Sequence, residues 1–222
     1  MSVAQSRISN EVSVLKAKYF EKDPFENFKF QPQSVFGKVA SLVPSHFLEY
    51  IDTIIVGDFD FLNERELTAL YDEGSIYLSN KDPESNNDVV DDIIHEIAHA
   101  VEENLQHVIY GDNSIESEFL SKRKFLYFTL KENGFDDEVD FYNFDKVEYD
   151  EQFDMFLYQQ VTYPLLNNLT NQFVCSPYGL TSIREYFANC FEHYFYIKGP
   201  LFVKHVSPKV FNKIERIINY EN

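Results

Sequence analysis

The chain is poor in the residues that hold small secreted proteins together. Its two cysteines, Cys175 and Cys190, are too few for a disulfide framework and read as small buried apolar residues. No apolar run is long enough to span a bilayer. The N-terminus, Met1-Ser2-Val3-Ala4-Gln5-Ser6-Arg7, lacks the apolar stretch of a secretory signal, so the expected location is cytoplasmic. Export by a route without a cleaved signal, and a phage origin, stay open. Cations are scarce too: 19 Lys and Arg against 37 Asp and Glu leave a net charge of −18. That charge argues against nucleic acid and anionic membranes as partners. It suits a basic protein or peptide substrate, and equally it serves solubility. Internal repeats, low-complexity tracts and clear linkers are absent. What is present, 44% hydrophobic residues in 222, builds a core for one domain or two small ones.

The most informative segment is Asp91-Asp92-Ile93-Ile94-His95-Glu96-Ile97-Ala98-His99-Ala100-Val101-Glu102-Glu103. Two histidines four apart on a helix project from one face and can hold one zinc ion. Glu96 beside the first can reach a water on that metal and take its proton. Val89 to Tyr110 contains no Pro or Gly, Asn87 and Asp88 are good N-cap types, and Gly111 can close the helix. Ile94, Ala98, Val101, Leu105 and Val108 form an apolar stripe at helical spacing.

Around this helix the pattern is α+β. Ser6 to Phe20 reads as an amphipathic helix with Val12, Leu15 and Tyr19 on its buried face. Pro44-Ser45 starts a short helix, Thr53-Ile54-Ile55-Val56 a strand, and Asn63 caps a helix over Glu64 to Tyr71 that Gly74 ends. Ser75-Ile76-Tyr77-Leu78-Ser79 alternates as a half-buried strand and is the expected edge strand for an extended substrate. The division is a lead-in over 1–50, strands and the His-Glu helix over 51–111, and a mainly helical half over 112–222. That half carries an acidic insertion at about 135–175. The whole reads as one zincin-like catalytic domain with a small N-terminal sheet and an edge strand before the His-Glu helix.

A catalytic zinc takes three protein ligands and one open position. Glu102 and Leu105 stand where a metzincin places Gly and His, which excludes that class. His107 is too far along the helix axis to converge with His99. Glu116 and Glu118 lie near the thermolysin-like separation, but the position itself is Phe119. Glu185 is the better third ligand. Ser182 and Glu185 also have the spacing of a capping box, and a ligand in the first turn of a helix can serve both purposes.

Tyr178-Gly179-Leu180-Thr181, followed by Glu185-Tyr186-Phe187-Ala188 and Phe191, resembles the active-site region of the catalytic domain of anthrax lethal factor and its relatives. These are gluzincin metallopeptidases that include the bacterial Pro-Pro endopeptidases. Ser121-Lys122-Arg123-Lys124-Phe125, Leu130 to Gly134, and Ser207-Pro208-Lys209-Val210-Phe211 extend the likeness, which covers about Ile51 to the C-terminus. Two departures stand out. Asn189 replaces a second glutamate of lethal factor, and the stretch from about Phe135 to Cys175 is much longer than its counterpart.

The resemblance implies a zinc metalloendopeptidase. One Zn2+ would sit on His95, His99 and Glu185, with Glu96 as general base and Tyr178 as the hydroxyl that stabilises the oxyanion. Ser75, Ile76, Tyr77, Leu78 and Ser79 would line the substrate. Two other expectations compete with it: a catalytically inactive binding module of the same fold, and a zinc hydrolase of a non-peptide substrate.

Overall fold

The computed structural model describes residues 16–220. The chain divides into two compact units at Asn104/Leu105, where the helical segment Asn86–Tyr110 is kinked at Leu105 (φ −120°, ψ 19°). Both helices and strands are present, as the α+β reading expects, with a single four-stranded mixed sheet.

The first unit is built on that sheet. Strand β1 (Lys18–Glu21) is followed by helices α1 (Pro32–Leu42) and α2 (Ser45–Leu48), strand β2 (Thr53–Gly57) and helix α3 (Asp60–Asn63). Then come β3 (Ala69–Asp72), β4 (Ser75–Ser79) and the helix α4 (Asn86–Tyr110). The sheet order is β1-β2-β4-β3; β1, β2 and β4 run parallel and β3 is antiparallel to β4. Ile54 and Val56 of β2 and Ile76 and Leu78 of β4 point to one face and are buried. There Ile54 and Ile76 lie with Ile93 and Ile97 of α4, two residues outside the stripe expected from the sequence, while Ile94, Ala98, Val101, Leu105 and Val108 of that stripe are buried as well.

Three expectations for this unit change. The N-terminal helix does not reach Phe20, because Lys18–Glu21 is a strand paired with β2; Val12 and Leu15 lie outside the described residues. The helix after Asn63 is instead α3, which ends there, and Ala69–Asp72 is strand β3. Glu73 (φ 42°) and Gly74 (φ 81°) are both left-handed, the geometry of a two-residue hairpin turn, so Gly74 joins two strands rather than ending a helix. Consequently Ser75, Ile76, Tyr77, Leu78 and Ser79 form an interior strand, hydrogen-bonded to β2 on one side and β3 on the other. Both of its edges are used, so no peptide can add to it. The edge strand before α4 is β3.

The second unit is helical. The end of α4 is followed by α5 (Ser114–Glu132), α6 (Asp136–Val139) and α7 (Glu151–Met155), which runs into a π-helical turn at Phe156–Val161. After α8 (Tyr163–Thr170) comes a 3-10 turn at Pro177–Leu180, then α9 (Ile183–Glu192), α10 (Pro200–Val206) and α11 (Pro208–Ile218). Phe119, Leu126, Phe153, Phe156, Tyr186, Phe187, Phe191 and Ile214 are buried. The buried Lys213 of α11 donates to Val108 O at 2.8 Å and pairs with Asp112 at 2.9 Å, closing the C-terminal turn of α4 with a cation. The acidic stretch is only partly a solvated excursion: Val139, Phe144 and Phe153 pack down, while Phe141 is 83% exposed.

Candidate metal centre

α4 presents its two histidines as the spacing requires, with ring centroids 5.1 Å apart. Its start is capped by Ser85, two positions before Asn87, with the Ser85 hydroxyl accepting the Asp88 N–H at 3.3 Å. His99 Nδ1 lies 3.2 Å from Glu102 Oε2, and the Glu102 side chain is only 5% exposed. With the proton on Nδ1, the imidazole donates to this carboxylate and leaves Nε2 for a metal. The carboxylate fixes the orientation of the ring.

Glu96, between the two histidines, is buried, and its Oε2 accepts the Tyr71 N–H at 2.6 Å. Tyr71 belongs to the edge strand β3, so the carboxylate is fastened to that edge by a charge-assisted hydrogen bond.

In the second unit Glu185 sits in the first turn of α9, where the Ser182 hydroxyl accepts its N–H at 3.1 Å. That is the capping half expected from the spacing, and it uses the backbone of Glu185 rather than its carboxylate. Asn189 donates its amide to Glu185 O at 2.8 Å and so braces the Glu185 backbone. Glu118 is committed elsewhere: it accepts from Tyr186 OH at 3.0 Å and Lys209 N–H at 2.9 Å.

Among the described residues one group could hold a metal ion: His95, His99 and Glu185, each offering a ligand atom, all within 4.8 Å of one another. Ligands on a tetrahedral zinc lie roughly 3.4 Å apart. Two imidazoles and one carboxylate fit zinc in type and number and leave the fourth position open.

Tyr178 stands on the 3-10 turn. Its N–H is accepted by Ser176 Oγ at 3.3 Å, and its carbonyl accepts from Thr181 N–H and Thr181 Oγ1 at 3.0 and 2.8 Å. The turn lies close on α9: a Cβ on Gly179 would stand 3.5 Å from Asn189 Cβ, Glu185 O and Tyr186 Cα. Burial, then the charges of Glu185 and Asp154, push the Tyr178 hydroxyl above its ordinary range, so it stays protonated and can donate. Its ring meets Tyr163 edge-on at 6.4 Å. Tyr163 and Tyr149 both donate to Asp154, at 3.2 and 2.9 Å, so part of the acidic insertion packs beside the tyrosine.

One further residue braces this turn. Arg123 of α5 is 1% exposed and donates to Leu180 O (2.8 Å), Thr181 O (3.4 Å) and Asn143 O (2.9 Å). Its guanidinium lies 3.8 Å from the Phe153 ring centroid, with Phe144 and Phe119 at 5.5 and 5.6 Å. Burial lowers it to about 10, which leaves it charged at neutral pH.

Ser75 to Ser79 are paired on both sides, so their backbone is not open to an added strand. Of the residues that sequence reasoning missed, Glu102 had a readable signal, its position three after His99 on one helical face. Tyr71 and Arg123 had none, since their partners are remote in sequence. Comparison with protein-family models, with curated proteins and with solved structures finds no match to this chain.

Proposed function

We propose that this chain is a zinc-dependent endopeptidase. The observation that carries the reading is the His95, His99 and Glu185 group, whose ligand atoms lie within 4.8 Å of one another, with buried Glu96 beside His95. A zinc ion on these three side chains supplies a Lewis acid for the scissile carbonyl and a water of lowered pKa.

The chain's own groups supply the rest. Glu102 holds His99 in the tautomer that ligates through Nε2. Glu96 takes the proton of the attacking water and passes it to the leaving amine. One of its oxygens is engaged by Tyr71 N–H, which leaves the other for this work. Tyr178, protonated across the working pH range, donates to the oxyanion, a contribution of about 3 kcal/mol to the barrier. An extended peptide would add to β3, whose side away from β4 carries no strand partner among the described residues, and there it would have to share or displace the Tyr71 N–H that Glu96 accepts. The likeness to the lethal factor catalytic domain supports the same assignment of roles.

The test is direct. Purified protein stripped of adventitious metal should retain one zinc and cut a peptide library. Glu96→Gln should keep the zinc and lose cleavage, because only the base is removed. A folded, metal-free protein would favour the inactive binding module, and zinc without cleavage of any peptide would favour a non-peptide substrate.

A further inference from the structure

Cys175 and Cys190 are both buried, and their sulfurs stand 3.2 Å apart. Each thiol has a distinct setting. Cys190 lies on α9, five residues past Glu185, and is fully enclosed. Cys175 immediately precedes Ser176, the residue that caps the Tyr178 turn, and retains 8% exposure. Half-buried Lys122, anchored to Val206 O at 2.7 Å, lies close enough to both thiols to feel their charge.

We infer that Cys175 and Cys190 are a disulfide-forming pair which, when oxidised, staples the approach to Tyr178 onto the helix that carries Glu185. Closure needs the sulfurs to approach by roughly 1 Å, to a bond of about 2.05 Å, a change within reach of side-chain rotation. The oxidant is a dialkyl disulfide, the class to which oxidised glutathione belongs. Cys175, the exposed member, attacks as thiolate; one small thiol leaves and Cys175 carries a mixed disulfide. Cys190 then attacks the Cys175 sulfur and expels the second small thiol. Two protein S–H bonds and one small-molecule S–S bond are exchanged for one protein S–S bond and two small thiols, and the two electrons pass to the small molecule. Burial pushes the Cys190 thiol well above its ordinary range, so the second step is the slow one. Gly179 already lies against Asn189 and Tyr186, so the bond tightens a contact that exists.

This inference is independent of peptidase activity. Full-length protein is equilibrated in glutathione buffers from reducing to oxidising, quenched with an alkylating reagent in denaturant, and analysed by intact mass and non-reducing peptide mapping. The expected product is a monomer lighter by two hydrogens, with one cross-linked peptide pair containing both cysteines. Its Tm should exceed that of the reduced form by roughly 5–10 °C. Amide exchange at Gly179 and Thr181 should slow on oxidation, and unchanged exchange would overturn the staple. Cys175→Ala or Cys190→Ala should abolish the cross-link and the Tm response. Two alkylated thiols throughout the range, or two separate glutathione adducts, overturn the pairing. Should either variant fail to fold, the cross-linked peptide from the unaltered chain decides alone. No readout uses zinc or cleavage, so this inference and the peptidase reading fail separately.

Discussion

Tyr71 and Glu96 are joined across the first unit: the backbone N–H of the edge strand donates to the carboxylate beside the first histidine at 2.6 Å. The donor is one that β3 does not spend on β4, so the free side of the sheet and the proposed base form one piece of structure. Glu96→Ala should abolish cleavage and also speed exchange of the Tyr71 amide by about tenfold, as the loss of one such hydrogen bond predicts. The Tyr77 amide, in the interior strand, should exchange as before. Hydrogen exchange followed by NMR makes the comparison.

Glu102 is predicted to govern metal affinity without touching the metal. Glu102→Gln should weaken zinc binding by roughly 10–100-fold, because the amide holds the His99 ring with less charge. Glu118→Gln should leave zinc affinity unchanged and instead lower stability, since it disturbs the Tyr186 and Lys209 contacts. Competition with a chelator separates the two, and the reverse order would show that the wrong carboxylate has been placed beside the metal.

Arg123→Leu should destabilise the second unit by about 2–4 kcal/mol, because Leu180 O and Asn143 O lose their buried donor. Urea unfolding measures this. If the arginine acts on catalysis through the Tyr178 turn, its effect on kcat should shrink when Tyr178 is already Phe. Tyr178→Phe alone should retain zinc and lower kcat more than it raises KM. Equal losses from Arg123→Leu in both backgrounds would mean that the two residues act separately.

His193 gives a pH prediction. Burial lowers it to about 4, against an ordinary 6.5, and its Nδ1 finds no partner. The unfolded chain therefore binds the proton more readily than the folded one between those values. Its share of stability is full above about 6.5 and is lost as pH falls towards 4, a span worth roughly 3 kcal/mol. His193→Phe, beside Phe202, should flatten the acid limb of the stability profile in that window. An unchanged limb would assign the acid loss to other groups.

Much of the site could be read from the chain because its signals are local. His95, Glu96 and His99 lie within five residues on a helix whose apolar stripe is unbroken, and Ser182 and Glu185 carry their own cap spacing. β2 and β4 were visible as short apolar or alternating runs. β3 was not, since Ala69-Leu70-Tyr71-Asp72 follows a helix cap and the Glu73-Gly74 turn decides it only once its left-handed geometry is known. Nor could the interior place of β4 be read, because which strands pair is set by contacts that alternation does not encode. In the sequence Arg123 is only one residue of the Ser121–Phe125 stretch that carries the resemblance. Its role arises from Phe153, thirty residues on, and from carbonyls nearly sixty residues away.

That arrangement limits what can be done to the 135–175 segment. Phe144 and Phe153 form two of the walls around the guanidinium and Asn143 supplies one of its acceptors. Cutting the segment back to a short connection would open a charged hole in the apolar interior, so a trimmed version needs a neutral side chain at 123 to fill it. The long connection and the arginine are a matched lock and bolt: neither can be transplanted into another scaffold without the other.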